Sequence, residues 1–193
     1  MAVRPVPPTV TEPSPDHRDP AVLDLEEDRG AGLRVQAGFA LVVATMVGLA
    51  LLLDLPLDST WAGGTVALVT VLACVVYMAL HELTHAALLW VLTRTRPTVG
   101  VRLPYLVTGS EALLTRRVAV TVGLGPLVLW GVLLLGLLAV VPADLFLTVY
   151  VLVGLNLAGS AGDVLQAWRI GRLPGSVLVR DDGRRTTVHP TAA

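Results

Sequence analysis

Residues 81–85 read His-Glu-Leu-Thr-His, an HExxH arrangement. On a helix, positions i and i+4 share a face, so the imidazoles of His81 and His85 can bind one metal ion. Glu82, one residue on, is held beside them where it can act as a general base. Zinc suits such a pair, because a catalytic zinc takes three protein ligands and keeps a fourth position open. It also acidifies a water toward a pKa of about 7. The chemistry that this spacing serves is hydrolysis of an amide by a zinc-activated water, with Glu82 taking the proton. The plainer alternative is a helix end carrying an interfacial His and Glu.

The third ligand has to come from elsewhere in the chain. Cys74 lies seven residues before His81, two helical turns away, which is too far. His17 and His189 fall in polar terminal stretches. Asp163 stands out because it lies inside a long apolar segment. Counted from the starts of their apolar segments, His81 is 17 residues in from Gly64 and Asp163 is 18 in from Leu145. At a rise of 1.5 Å per residue both sit about 26–27 Å deep. Asp163 is therefore the expected third ligand. Its alternative is a pair with a juxtamembrane arginine such as Arg169.

The elements that must position these residues follow from the composition. Of 193 residues, 54% are hydrophobic and 15% charged, with a mean hydropathy of +0.72. Soluble domains carry about 25% charged residues. The excess of Leu, Val, Ala and Gly cannot be packed into one soluble core, which excludes a soluble enzyme, a nucleic-acid binder and a disordered chain. A net charge of −1 also argues against a polyanionic partner. The single cysteine excludes an internal disulfide framework and a cysteine-cluster metal site. All 14 basic residues are Arg, a bias that points to GC-rich coding and a bacterial source.

Four apolar segments, 33–55, 64–92, 118–141 and 145–168, are each long enough to span a bilayer. The arginines fall before the first span, between the second and third, and after the fourth, while the connections at 56–63 and 142–144 hold none. The positive-inside rule then places both termini in the cytoplasm. The expected fold is an all-α membrane protein of four transmembrane helices, a multi-pass protein of the bacterial cytoplasmic membrane. Its active site would lie near the cytoplasmic side. Trp61, Trp90 and Trp168 lie near span ends as interface anchors. Residues 1–30, with six prolines and seven acidic residues, read as a disordered tail. Residues 31–175 form the transmembrane domain and 176–193 a cytoplasmic tail with a small hairpin. Short β segments are also expected in the 93–112 loop.

The fourth span carries a polar stripe, since Asn156, Ser160 and Asp163 are spaced i, i+4, i+7. Gly154, Gly159 and Gly162 allow close helix approach. Asn156 is a candidate for a substrate or oxyanion contact, with interhelical hydrogen bonding the even alternative. Ser160 and Thr84 read as packing positions. Glu111 reads as a solvated carboxylate, and Gly125-Pro126 as a kink in span three.

With HELTH in a span and a polar stripe ending in Gly162-Asp163, the sequence resembles the site-2-protease type of intramembrane zinc metalloprotease. More closely, it resembles a bacterial family of multi-pass membrane proteins described as zincin peptidases. The matching residues are His81, Glu82 and His85, then Pro104-Tyr105, Gly125-Pro126-Leu127, Asn156 and Ser160-Ala161-Gly162-Asp163. The resemblance implies zinc held by His81, His85 and Asp163, with Glu82 as general base and a membrane-anchored protein or peptide as substrate. Site-2 proteases usually place the late Asp directly before Gly, whereas here Gly162 precedes Asp163. Two other functions compete. One is a zinc-binding membrane scaffold or regulator without catalysis. The other is a small zinc transporter, disfavoured because a conduction path needs a succession of polar groups within the spans.

Overall fold

The computed structural model describes residues 21–23, 29–102, 105–182 and 186–190. Four helical stretches are long and apolar enough to cross a membrane. They are α1 (Arg29–Leu52), α2 (Gly63–Thr93), α3 (Arg116–Leu138) and a fourth stretch made of α4 (Ala143–Gly159) and α5 (Ala161–Gly171). The sequence places one unbroken helix over 145–168; the structure interrupts it at Ser160, whose φ of −78° and ψ of 4° leave the α-helical basin. The chain there reads Gly159-Ser160-Ala161-Gly162, where Gly and Ser hold a helix only weakly. Hydrogen bonding carries across the break, since the Ser160 N–H donates to the Asn156 carbonyl and the Val164 N–H to the Ser160 carbonyl. The Ser160 side chain is fully buried and its hydroxyl has no hydrogen-bond partner.

The helices are apolar nearly all round, as a lipid-exposed bundle requires. Leu41, Leu51, Leu52, Val132 and Val140 all project outward. The inside is a modest seam where Tyr77, Leu134 and Val153 pack with Met46 and Trp130. α3 packs against α2, α4 and α5, and α1 lies on α4 and α5. Two side-chain bonds brace the opposite faces of α4: Tyr150 Oη donates to the Met46 carbonyl at 2.6 Å, and the Thr70 and Thr148 hydroxyls meet at 2.8 Å. In a setting without water, each such bond satisfies a group that otherwise has no partner.

Among the described residues, six short strands gather at one end of the bundle. β2 (Thr98–Arg102) and β3 (Tyr105–Gly109) form an antiparallel hairpin in register Thr98↔Gly109 to Arg102↔Tyr105, within the loop expected to have β character. β3 packs on α2. A second sheet has the order β1-β6-β5-β4, built from β1 (Ala21–Leu23), β4 (Leu114–Thr115), β5 (Val177–Asp181) and β6 (Thr186–Pro190). The β5–β6 pair is the expected C-terminal hairpin. β1 corrects the reading of 1–30 as a plain tail, because Ala21–Leu23 add as an edge strand on β6; the rest of that tail up to residue 28 lies outside the described residues. Three residues after six prolines give too short an apolar run to be read as a strand from sequence. β1 pairs only because β6 offers a free edge. The sheet closes over Ile170 with Val177, Val179 and Val188.

The sheet also joins the helix ends. β1 precedes α1, β4 runs directly into α3, and β5 follows α5. Thr115 caps α3 by accepting from the Val118 N–H. Arg116 Nη2 donates to the Leu173 carbonyl at 2.6 Å, which ties the start of α3 to the end of α5. Both described ends of the chain therefore lie on the same side of the bundle, as four spans require.

Candidate metal centre

α2 is helical through the HExxH motif, so His81 and His85 stand one above the other on its inner face. Both are buried to 9% exposure. α5 begins at Ala161 and carries Asp163 in its first turn, where the positive end of the helix dipole favours a carboxylate. Asp163 Oδ2 lies 3.4 Å from His81 Nε2 and 3.7 Å from His85 Nε2. Among the described residues, His81, His85 and Asp163 are the one group of three potential ligands whose donor atoms all lie within 4.8 Å of one another. Two ligands about 2.1 Å from a tetrahedral zinc are about 3.4 Å apart. The two spacings from the carboxylate lie close to that value, and a donor set of two imidazoles and one carboxylate matches the chemistry zinc selects in catalytic sites.

The break at Ser160 bears on this arrangement. It starts a new helix at Ala161, two residues before Asp163, and the carboxylate therefore emerges from a helix N-terminus rather than from mid-helix. Glu82 is half-buried. It lines, with His81 and Asp163, a cavity of about 580 Å³ whose remaining walls include Phe39, Met78 and Leu155. The β2–β3 hairpin approaches from the same end, and Thr108 Oγ1 donates to the Glu82 carbonyl at 3.3 Å. Thr84 bonds the Leu80 carbonyl and accepts from Trp130 Nε1, so it serves helix packing. Glu111 pairs with Arg180 at the sheet, away from the centre. Cys74 is outside the cluster.

Each imidazole is also held on its far side. His85 Nδ1 lies 2.9 Å from the Val122 carbonyl on α3. The helical donor for that carbonyl would be residue 126, which is Pro126 and has no N–H. Pro126 is fully buried inside α3, and its role here is to leave Val122 without its helical N–H partner.

His81 Nδ1 lies 3.0 Å from Tyr77 Oη, one helical turn back. Tyr77 Oη donates to Asn156 Oδ1 at 2.7 Å, and Asn156 Nδ2 donates to the Leu127 carbonyl at 3.1 Å. Of the two roles left open for Asn156, a substrate or oxyanion contact and interhelical hydrogen bonding, the structure displays the second. The side chain is 1% exposed, and both ends of its amide are engaged within the bundle. Tyr77 is a site residue that the sequence reading missed. The available signal was a hydroxyl-bearing aromatic four residues before His81, on the same face of an otherwise apolar span.

No curated protein and no solved structure gives a significant match to the chain. A family model described as "Putative zincin peptidase" does match, over residues 74–178. That interval contains His81, Glu82, His85 and Asp163, all of α3, α4 and α5, and the whole hydrogen-bonded chain around the two imidazoles. The family's description implies zinc, which the His-His-Asp geometry fits. The match covers more than half of the sequence, and the protein belongs to this zincin peptidase family.

Proposed function

We propose that this protein is an intramembrane zinc metallopeptidase that hydrolyses peptide bonds in or near the bilayer. The observation that carries the reading is the convergence of His81 Nε2, His85 Nε2 and Asp163 Oδ2 at ligand spacing, beside Glu82 on a common cavity wall. Placing imidazoles and two carboxylates inside spans is costly, about 2.5–3.5 kcal/mol per charged residue on insertion scales. A shared cation offsets that cost.

His81, His85 and Asp163 would hold the ion. When bound, zinc supplies Lewis acidity and a water acidified toward neutrality. Glu82 then acts as general base: its carboxylate takes the proton as water oxygen attacks the peptide carbonyl carbon, and returns it to the amine nitrogen as the C–N bond breaks. The cavity walls contributed by Phe39, Met78 and Leu155 suit the apolar side chains of a membrane-anchored substrate. The β2–β3 hairpin, next to Glu82, would take an extended substrate segment as an added strand. The arginine distribution orients this end toward the cytoplasm.

The test is metal content and cleavage in detergent. Purified protein is expected to hold one zinc per chain, lost in His81→Ala. A membrane-anchored reporter peptide should be cleaved by wild type and spared by Glu82→Ala. Absence of bound metal in the wild type would end this reading. Full complementation of a deletion phenotype by Glu82→Ala would replace it with the non-catalytic scaffold.

A further inference from the structure

The partners of His81 and His85 are ordered so that the position of each ring proton can be worked out. The starting point is the Leu127 carbonyl, which can only accept. Asn156 must therefore direct its NH₂ at Leu127 and its oxygen at Tyr77, which fixes the amide orientation. The Tyr77 hydroxyl has one proton and gives it to Asn156 Oδ1. Toward His81 it can then only accept, so His81 Nδ1 must carry the hydrogen across the 3.0 Å contact. His85 reaches the same state more directly, because the Val122 carbonyl that faces its Nδ1 is also acceptor-only.

We infer that α3 locks both imidazoles with hydrogen on Nδ1, through the Leu127–Asn156–Tyr77 relay for His81 and the Pro126-vacated Val122 carbonyl for His85. With hydrogen held on Nδ1, the Nε2 atoms of both rings, which face Asp163 Oδ2, are the nitrogens left to bind a metal. Tyr77, Asn156 and Pro126 are positioning residues: each acts through a histidine. The purpose of the lock rests on the zinc reading above, whereas the placement of the protons does not. The energetic basis is general, since the outer partners of metal-binding histidines set ring orientation and tautomer, and losing one typically costs 10–100-fold in affinity.

The experiment uses full-length protein in detergent micelles, labelled with ¹⁵N-histidine, in a His17→Gln/His189→Gln background that leaves only the two histidines of interest. Long-range ¹H–¹⁵N correlation distinguishes protonated from bare ring nitrogens. Nδ1 of both His81 and His85 is expected to be protonated with and without zinc. In Tyr77→Phe the His81 pattern alone should lose this exclusivity, and the zinc Kd, from chelator competition, should rise about 10–100-fold. Asn156→Leu leaves the Tyr77 proton free to turn toward His81 Nδ1, so it should weaken zinc at least as much. The double variant should be no worse than Asn156→Leu alone, because the two residues act as one chain. A bare Nδ1 on either histidine in wild type, or strictly additive losses, overturns the lock. Wild type that binds no zinc sinks the peptidase reading, while the spectrum of zinc-free protein still decides the lock. Helical circular dichroism and monodisperse elution identify any variant that fails to fold, and the wild-type spectrum then decides alone.

Discussion

Asp163→Asn tests the proposed ligand that the sequence could place only by depth. The substitution keeps side-chain volume and removes the charge, so packing around the break at Ser160 stays intact. Apparent binding energies of fully protein-ligated zinc are about 10–16 kcal/mol for four ligands, or about 2.5–4 kcal/mol per ligand. With 1.4 kcal/mol to each tenfold, losing the carboxylate should raise the zinc Kd about 10²–10³-fold. The separations of 3.4 and 3.7 Å from Asp163 to the two imidazoles already match ligand spacing, so little reorganisation offsets that loss. Chelator competition measures it directly. Thermal unfolding gives a second reading, because zinc at 100 times the wild-type Kd stabilises by about 2.7 kcal/mol. In a domain of this size that is a Tm rise of roughly 5–10 °C. A variant with a Kd 100-fold higher keeps only about 0.4 kcal/mol at the same zinc concentration, and the rise nearly vanishes. A Kd within about threefold of wild type, roughly 0.7 kcal/mol, would show that Asp163 is not a ligand.

Three further outcomes separate site from scaffold. Pro126→Ala restores an N–H that competes with His85 for the Val122 carbonyl, and a loss of about 1 kcal/mol should raise the zinc Kd about fivefold in the same chelator assay. Gly162→Leu meets no atom at its Cβ and projects from the wall of the 580 Å³ cavity; kcat/KM on a membrane-anchored reporter should fall at least about tenfold with zinc affinity unchanged. Val179→Ala, at 1% exposure in the sheet core, should cost about 2 kcal/mol in thermal unfolding. Its zinc Kd should not move.

The three residues that converge in the structure, His81, His85 and Asp163, were legible in the sequence because apolar spans leave few places for polar groups. A carboxylate at Asp163 in a lipid-spanning segment needs a partner, and matched depth with His81 named it. The strand pairing of β5 with β6 was also legible, from β-branched runs flanking Asp181-Asp182-Gly183. β1 and β4 were not, because strands of three and two residues carry almost no local signal and exist only through their neighbours. The split of the fourth span was missed for a related reason. Hydropathy reports that a segment is apolar enough to cross, and is blind to one residue leaving helical geometry within it.

The two residues read least completely, Asn156 and Pro126, show what local patterning leaves out. Each was placed correctly inside a span, and each had several generic explanations: an oxyanion donor or interhelical bond for Asn156, a kink for Pro126. What decides between them is where the freed or added hydrogen-bonding group is satisfied. Asn156 gives its oxygen to Tyr77 and its nitrogen to Leu127, and at 1% exposure it is enclosed within the bundle. Pro126 withholds a donor from Val122, and His85 supplies the missing one. In hydrocarbon every such group must find a partner. A polar residue or proline in a span is therefore half of a pair, and the other half, here a histidine or its neighbour on α2, lies on another helix where sequence spacing cannot see it.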